Sequence, residues 1–230
     1  MSPPARPGLA FFVFGKLIPA AVFAFLAVVQ LQLFRVEAPA ALSHFPEVAS
    51  VSFFMNRLLS IGFASGVALV YIVRRPPLQG RHDLVAVVVS MYASFVLLAL
   101  RPLLLFLAVE TEHLPDWTLI VSNALVAVGA GFSIYALLYL RLNFSILPEA
   151  RDLITSGPYR LVRHPVYLGE ILGAIGLALA LPSLLSIVVL VTFVAAQLLR
   201  SGIEERVLAA NLPGYAEYAA RTPRLIPGPW

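Results

Sequence analysis

Long apolar runs constrain this chain more than any other feature of its sequence. Four of them, at about 9–33, 52–73, 83–108 and 117–140, reach the length of about 20 residues that an α-helix needs to cross a bilayer. Only 12% of the 230 residues are charged and 60% are hydrophobic, which is too apolar for the surface of a soluble domain. The sequence therefore predicts an all-α, polytopic membrane helix bundle with four spans.

A fifth apolar block, 166–199, is too long for one span. It contains Leu181-Pro182-Ser183 near its middle, and Pro interrupts helices, so we expect a C-terminal membrane hairpin. After the hairpin, Glu204 is expected to begin a short polar helix, followed by a cytoplasmic helical tail. The predicted organisation is a region of membrane-spanning helices over 1–115 and a second region over 116–230 that contains the hairpin and the tail.

Charged residues are distributed unevenly between the predicted loops. Segments 74–83 and 141–165 carry three and four arginines, whereas 109–116 carries three acidic residues and no Lys or Arg. The positive-inside rule therefore predicts that both termini and the hairpin mouth are cytoplasmic. The strong excess of Arg over Lys fits a multi-pass protein of a prokaryotic inner membrane.

Several classes of site are disfavoured by composition. The chain has no cysteine, which excludes disulfides, Cys-ligated zinc, iron–sulfur clusters and thiol nucleophiles. The net charge of +4 is dispersed over short loops, so we expect membrane lipids and not nucleic acid as partners. No metal site is expected, because His44, His82 and His113 lie in loops separate from His164.

The segment from Ser156 to Glu170 carries charged residues directly into the apolar hairpin. Pro165 suits the first position of a helix, so free N–H groups of a helix N-terminus are expected beside Arg163 and His164, where they favour an anion. Glu170 lies inside the apolar run, and a carboxylate there is a functional candidate by default. The alternative for Glu170 is an ion pair with Arg163.

Other polar or small residues have simpler interpretations that stay open. Gly169, Gly173 and Gly176 recur on one helix face, which favours either close helix packing or close approach of a ligand. Arg57 and Arg101 are expected to extend to the membrane interface. Arg200 and Glu204, four residues apart, suit a surface ion pair.

Together these pieces resemble the integral-membrane methyltransferases, which include isoprenylcysteine carboxyl methyltransferases and phospholipid N-methyltransferases. The resemblance rests on Gly157-Pro-Tyr, Arg163-His-Pro-x-Tyr167-x-Gly169, Glu204-Glu205, and Gly214-Tyr-x-x-Tyr218-x-x-Arg221-x-x-Arg224-Leu-Ile-Pro227. It covers roughly the C-terminal 90 residues, or about 100 if Gly129-Ala-Gly131 in the fourth span is counted. The first 115 residues match only in being apolar.

The resemblance implies an S-adenosylmethionine pocket that faces the cytoplasm and a lipid-like methyl acceptor that enters from the bilayer. The implied cofactor-binding residues are Gly129, Gly131, Arg163, His164, Tyr167, Gly169, Glu204 and Glu205. The implied catalytic residues are Arg163, His164 and Glu170, and the implied substrate-binding residues are Tyr215, Tyr218 and Arg221. By themselves, the two tyrosines also suit a membrane interface.

Two other functions remain open at this stage. Steroid 5α-reductase-type enzymes, which use NADPH, have a similarly placed Pro-x-Tyr-x-Gly-Glu segment, but Val166-Tyr167 stands where they tend to have Asn-Tyr. The Glu204-Glu205 pair also suits the methyltransferases better. A non-enzymatic protein on the same scaffold would bind neither cofactor.

Overall fold

The computed structural model describes residues 12–73, 84–108, 115–140 and 153–227. Regular structure within these ranges is helical, as predicted, and includes seven α-helices. We number them α1 (Ile18–Ser43), α2 (Val48–Val73), α3 (Leu84–Phe106), α4 (Asp116–Leu140), α5 (Pro165–Ala180), α6 (Leu184–Asn211) and α7 (Tyr215–Arg221). A π-helical turn, Val13–Leu17, precedes α1, and a 3-10 turn, Gly157–Arg160, precedes α5.

Four of these helices are long and apolar enough to cross a membrane: α1, α2, α4 and α6. Three of them, α1, α2 and α4, were predicted as spans, and α6 is the second arm of the predicted hairpin. The fourth predicted span, 83–108, corresponds to α3. Within the described residues, the apolar helical stretches of α3 and α5 are Val85–Leu100 and Pro165–Ala180. The predicted break at Leu181-Pro182-Ser183 separates α5 from α6, and the Ser183 hydroxyl caps α6 by accepting a hydrogen bond from the Ser186 N–H.

Two predicted boundaries are wrong because charged residues were taken as helix ends. The first helix does not stop near residue 33 but continues to Ser43, through a stretch rich in alanine. Likewise, Glu204 does not begin a separate polar helix. The helix α6 runs without interruption to Asn211, since the residues around the two glutamates are mostly strong helix formers.

Arg57 provides a third correction, because it does not extend to the membrane interface. Its residue is only 3% exposed, and its guanidinium donates to Glu37 at 2.8 Å and to Gln30 at 2.6 Å. The extension of α1 brings Glu37 alongside α2, so the charge is compensated inside the bundle. The side chain of Arg101 lies outside the described residues.

Helices α4 and α5 are antiparallel and in very close contact. The Ser133 hydroxyl donates to the Val166 carbonyl at 3.1 Å, and the Ser122 hydroxyl donates to the Gly176 carbonyl at 2.7 Å. A Cβ atom on Gly129 would lie 2.5 Å from the carbonyl oxygen of Gly169. Small residues therefore allow the two backbones to touch, and this contact fixes the first turn of α5 against α4.

The alternating helix directions bring the start of α5 and the ends of α4 and α6 to one end of the bundle. Tyr159, Val166 and Tyr167 pack there against Ala136 of α4 and Leu225 of the tail. The loop segments 74–83, 109–114 and 141–152, on which the orientation argument relies, lie outside the described residues. The cytoplasmic location of this end therefore stays a prediction.

Candidate active site

The start of α5 forms as the local sequence predicts. His164 is the N-cap residue and Pro165 occupies the first helical position, where its missing N–H costs nothing. The preceding turn depends on Gly157, which has a positive φ of 61° and lies against the ring of Tyr139, where a Cβ atom would clash. The chain is thus held against α4 just before it enters the helix.

The C-terminal tail is fastened to this same turn. The Arg163 N–H donates to the Pro223 carbonyl at 2.7 Å, and the His164 N–H donates to the Arg224 carbonyl at 3.1 Å. From α7, the Tyr218 hydroxyl donates to the Tyr159 carbonyl at 2.7 Å. The tail therefore forms one wall of the site and is not a free extension.

Glu205 joins three segments of the chain. One of its oxygens accepts from Arg163 Nε at 2.8 Å and lies 3.1 Å from His164 Nε2. The other oxygen accepts from Arg224 Nη2 at 2.7 Å. Since both oxygens are engaged and the side chain is only 14% exposed, this carboxylate holds α5, α6 and the tail together.

Glu204 has a different environment. It accepts a 2.5 Å hydrogen bond from the Tyr167 hydroxyl and lies 3.8 Å from His164 Nδ1, and its side chain is 27% exposed. The rings of His164 and Tyr167 are stacked, with centroids 5.2 Å apart. Glu204 is therefore the more accessible of the two carboxylates and has the fewer partners.

Arg200 is not part of a surface ion pair, contrary to the interpretation from spacing. It is only 2% exposed, and its guanidinium carbon lies 4.6 Å from the centre of the Tyr167 ring, a cation–π geometry. Its charge interacts with those of Glu170 and Glu204. A buried cation therefore interacts with both carboxylates.

Glu170 does not pair with Arg163, which was the structural alternative for it. Its carboxylate accepts from Gln197 Nε2 of α6 at 2.5 Å. It also lines a cavity of about 140 Å³ between α2, α3, α4, α5 and α6, whose wall includes Ser133, Gly169 and Gly173. A carboxylate is thus presented to an intramembrane cavity one helical turn from Tyr167.

The glycines of the predicted site lie in different places. Gly129 is buried against α5, whereas Gly131 is exposed, and a Cβ atom added to it would have open space for 4 Å around it in the described part of the chain. Gly169 packs against Ser133 and Gly129. Helix packing accounts for Gly129 and Gly169, and a cofactor-binding role for any of the three stays a prediction.

The predicted substrate-binding residues differ in burial. Tyr215 and Tyr218 are buried with their rings in edge-to-face contact, and are not membrane-interface residues. Burial raises the pKa of Tyr218 to about 12, so its hydroxyl stays a hydrogen-bond donor at neutral pH. Arg221 is exposed, and its Nε donates to the Glu217 carbonyl at 3.2 Å.

Two residues of the site were missed from the sequence. Gln197 is fully buried in α6 and holds Glu170. Tyr159 supplies the carbonyl that anchors α7 and packs against the first turn of α5. An amide within an apolar run was the available signal for Gln197, whereas only the resemblance to Gly157-Pro-Tyr marked Tyr159.

Fold and site together define a membrane helix bundle whose polar cluster is built from α5, α6 and the tail. Residues 117–213 match the family model described as Phospholipid methyltransferase. The matched part contains α5 and α6 with Arg163, His164, Tyr167 and the two glutamates. Over this part of the chain, the match agrees with the predicted resemblance to the integral-membrane methyltransferases, and it favours a methyltransferase over the reductase.

Two curated relatives match a smaller part. The chain is 44% identical over 77 residues to the cobalt-zinc-cadmium resistance protein CzcN of Cupriavidus metallidurans, which is 33% of this chain and 35% of that protein. It is 32% identical over 84 residues to the nickel-cobalt-cadmium resistance protein NccN of Alcaligenes xylosoxydans xylosoxydans, which is 34% of this chain and 38% of that protein. The similarity thus spans little more than a third of each relative.

Proposed function

We propose that the protein is an S-adenosylmethionine-dependent methyltransferase acting on a lipid-like acceptor that enters from the membrane. The observation that carries this proposal is the position of Glu204, a partly exposed carboxylate beside His164 and Tyr167 at the start of α5. These residues lie inside the segment that matches the methyltransferase family. The active site is expected on the cytoplasmic face, where a soluble cofactor can reach it.

The donor set suits the charged groups of this cofactor. Glu204 is suited to its ammonium or ribose hydroxyls, because a single phenol hydroxyl is its hydrogen-bond donor among the described residues. The Nη2 group of Arg163 has no hydrogen-bond partner in the described part of the chain and is suited to the carboxylate. The buried Tyr215 hydroxyl is also unpartnered among the described residues, so a ligand can supply its partner.

Methyl transfer needs positioning more than acid–base chemistry. When bound, the cofactor supplies a methyl group on a sulfonium, and the acceptor displaces it in line, leaving a neutral thioether. The tail and the rings of His164 and Tyr167 exclude water from this corner. A carboxylate or thiolate acceptor needs no base, whereas Glu170 would take the proton released by an amine.

Binding of S-adenosylhomocysteine to the purified protein tests the proposal. Isothermal titration calorimetry in detergent should give a complex with the natural sequence and at least tenfold weaker binding with Glu204→Gln, since one charge-assisted contact contributes about 1.5–3 kcal/mol. Glu217→Gln is the matched control, because Glu217 is an exposed tail carboxylate. Absence of binding by the natural sequence contradicts the proposal. Equal binding by the natural sequence, Glu204→Gln and Glu217→Gln also contradicts it.

A further inference from the structure

A second cavity lies toward the opposite end of the bundle from His164. Its volume is about 250 Å³, and it is enclosed by α1, α2, α3, α4 and the end of α5. Its polar lining consists of Gln30, Ser52, Asn56, Arg57 and Ser60. Polar side chains inside membrane segments are costly and tend to face a cavity or a ligand path.

Hydrogen bonds within the described part of the chain already engage most polar groups of this cavity. Arg57 is paired with Glu37 and Gln30, so the cation is compensated. The Ser52 hydroxyl and the Asn56 amide both donate to Asn123 Oδ1, at 2.7 Å and 3.2 Å. The side-chain oxygen of Asn56, by contrast, has no hydrogen-bond donor among the described residues.

This cavity adjoins the one that Glu170 lines. Five residues form part of both walls: Asn56, Ser60, Leu97, Leu98 and Leu177. Glu170 and Asn56 thus line one cavity, and the remaining lining of that cavity is mainly apolar. Along α5, this cavity extends from Glu170 to Leu177, which belongs to the shared section and lies about 10 Å away at 1.5 Å per residue.

From this geometry we infer that the methyl acceptor is an elongated molecule with a second polar group at its far end. The reacting end lies near Glu170, the apolar body follows the leucines, and the far group is bound at Asn56. The far group is neutral and donates a hydrogen bond, as a hydroxyl or primary amide does. An anion is disfavoured there because Glu37 already compensates Arg57. The inference rests on the proposed methyltransferase function.

Simple chain molecules test the recognition of both ends. Octane-1,8-diol has roughly the 10 Å length that separates Glu170 from the shared section along α5, and octan-1-ol lacks the second hydroxyl. At equal concentrations in detergent, the diol should raise the Tm of the protein more than the alcohol does. Its apparent affinity should be about fivefold higher, which is the contribution of one neutral hydrogen bond.

Substitutions in the cavity wall test whether the preference for the diol depends on Asn56. Asn56→Leu should remove the advantage of the diol, and Ser60→Ala, a smaller change in the same wall, should reduce it. Thr192→Val is the matched control, because Thr192 is an exposed polar residue of α6 outside both cavities, and it should retain the advantage. The inference is overturned if the diol and the alcohol raise the Tm of the natural sequence equally. It is also overturned if the diol keeps its larger effect on the Tm in Asn56→Leu.

The same samples separate this inference from the function on which it rests. S-adenosylhomocysteine should raise the Tm of the natural sequence and of Asn56→Leu alike, since Asn56 is remote from Glu204. Stabilisation by S-adenosylhomocysteine without any preference for the diol refutes the elongated acceptor alone. A preference for the diol without stabilisation by S-adenosylhomocysteine refutes the methyltransferase function and, with it, the identification of the cavity ligand as an acceptor.

Discussion

At the scale of single residues, the two adjacent glutamates of α6 have separate tasks. Glu205 is surrounded by Arg163, His164 and Arg224, which come from the start of α5 and from the tail. Glu204 has the Tyr167 hydroxyl as its hydrogen-bond donor and more exposure. The sequence presents them as one acidic pair, and only the three-dimensional contacts distinguish a carboxylate that joins three segments from a more exposed one with fewer partners.

Glu205→Gln is expected to detach the tail. An amide cannot accept from three charged or N–H donors as a carboxylate does, so the free energy of unfolding should fall by about 2 kcal/mol. Limited proteolysis should then cut the chain between α6 and the C-terminus faster than in the natural protein. Glu217→Gln should leave both the Tm and the cleavage rate unchanged; equal effects of the two substitutions would argue against this role of Glu205.

Glu170→Gln separates two kinds of acceptor. The new amide can still bond to Gln197, so the fold and the binding of S-adenosylhomocysteine should be retained. If the acceptor is an amine, turnover should fall by about 10²–10⁴-fold, the usual contribution of a general base. Turnover is measured with labelled S-adenosylmethionine and membrane lipid extract, and an unchanged rate indicates an acceptor that is already anionic.

Sequence reasoning worked where a residue's environment is local and failed where it depends on a distant helix. His164-Pro165 contains its own helix-start signal, so the start of α5 was predictable. The burial of Arg200 depends on the position of Tyr167 on α5. The burial of Arg57 depends on α1 reaching Glu37. Neither contact can be predicted from the residues next to Arg57 or Arg200 in the sequence, so both arginines were predicted to lie at the surface.

At the scale of elements, the α4–α5 contact positions the candidate site. Hydrogen bonds at Ser122 and Ser133 fix the register of the two helices, and glycines bring their backbones together between these points. The sequence indicated that Gly169, Gly173 and Gly176 share a face, but it did not identify the helix that they meet. The partner is α4, and Gly129 is its point of contact.

The substitutions Gly129→Ala and Gly131→Ala should therefore have very different effects on stability. In Gly129→Ala the new methyl group would lie 2.5 Å from the Gly169 carbonyl and 2.6 Å from the Gly173 nitrogen, so the helices must separate. Unfolding in detergent should show a loss of about 1–3 kcal/mol, as overpacking typically costs. Gly131→Ala, with open space around it, should be close to neutral in stability. If Gly131→Ala nevertheless weakens S-adenosylhomocysteine binding, the glycine pair contributes directly to the cofactor site.

At the scale of the whole molecule, polar groups extend through the bundle from one end to the other. Glu205 and Glu204 lie at the tail end, Arg200 and Glu170 follow, and the cavities lead on to Arg57. A membrane protein retains so many buried charges mainly where they line a path for a ligand. A soluble cofactor at one end and a membrane acceptor in the interior would meet beside Tyr167 and Glu170.

This arrangement requires the tail end to face the cytoplasm, and the chain is well suited to a direct test. It has no natural cysteine, so a single introduced thiol is the only site for a maleimide. Glu217→Cys lies at an exposed position of α7 and Ser43→Cys at the exposed end of α1, at opposite ends of the bundle. In intact cells with a permeabilised outer membrane, a membrane-impermeant maleimide should label Ser43→Cys and should label Glu217→Cys only after lysis. The reverse pattern would place Glu204 on the side without cytoplasmic cofactor, and the loop charges would then have predicted the wrong orientation.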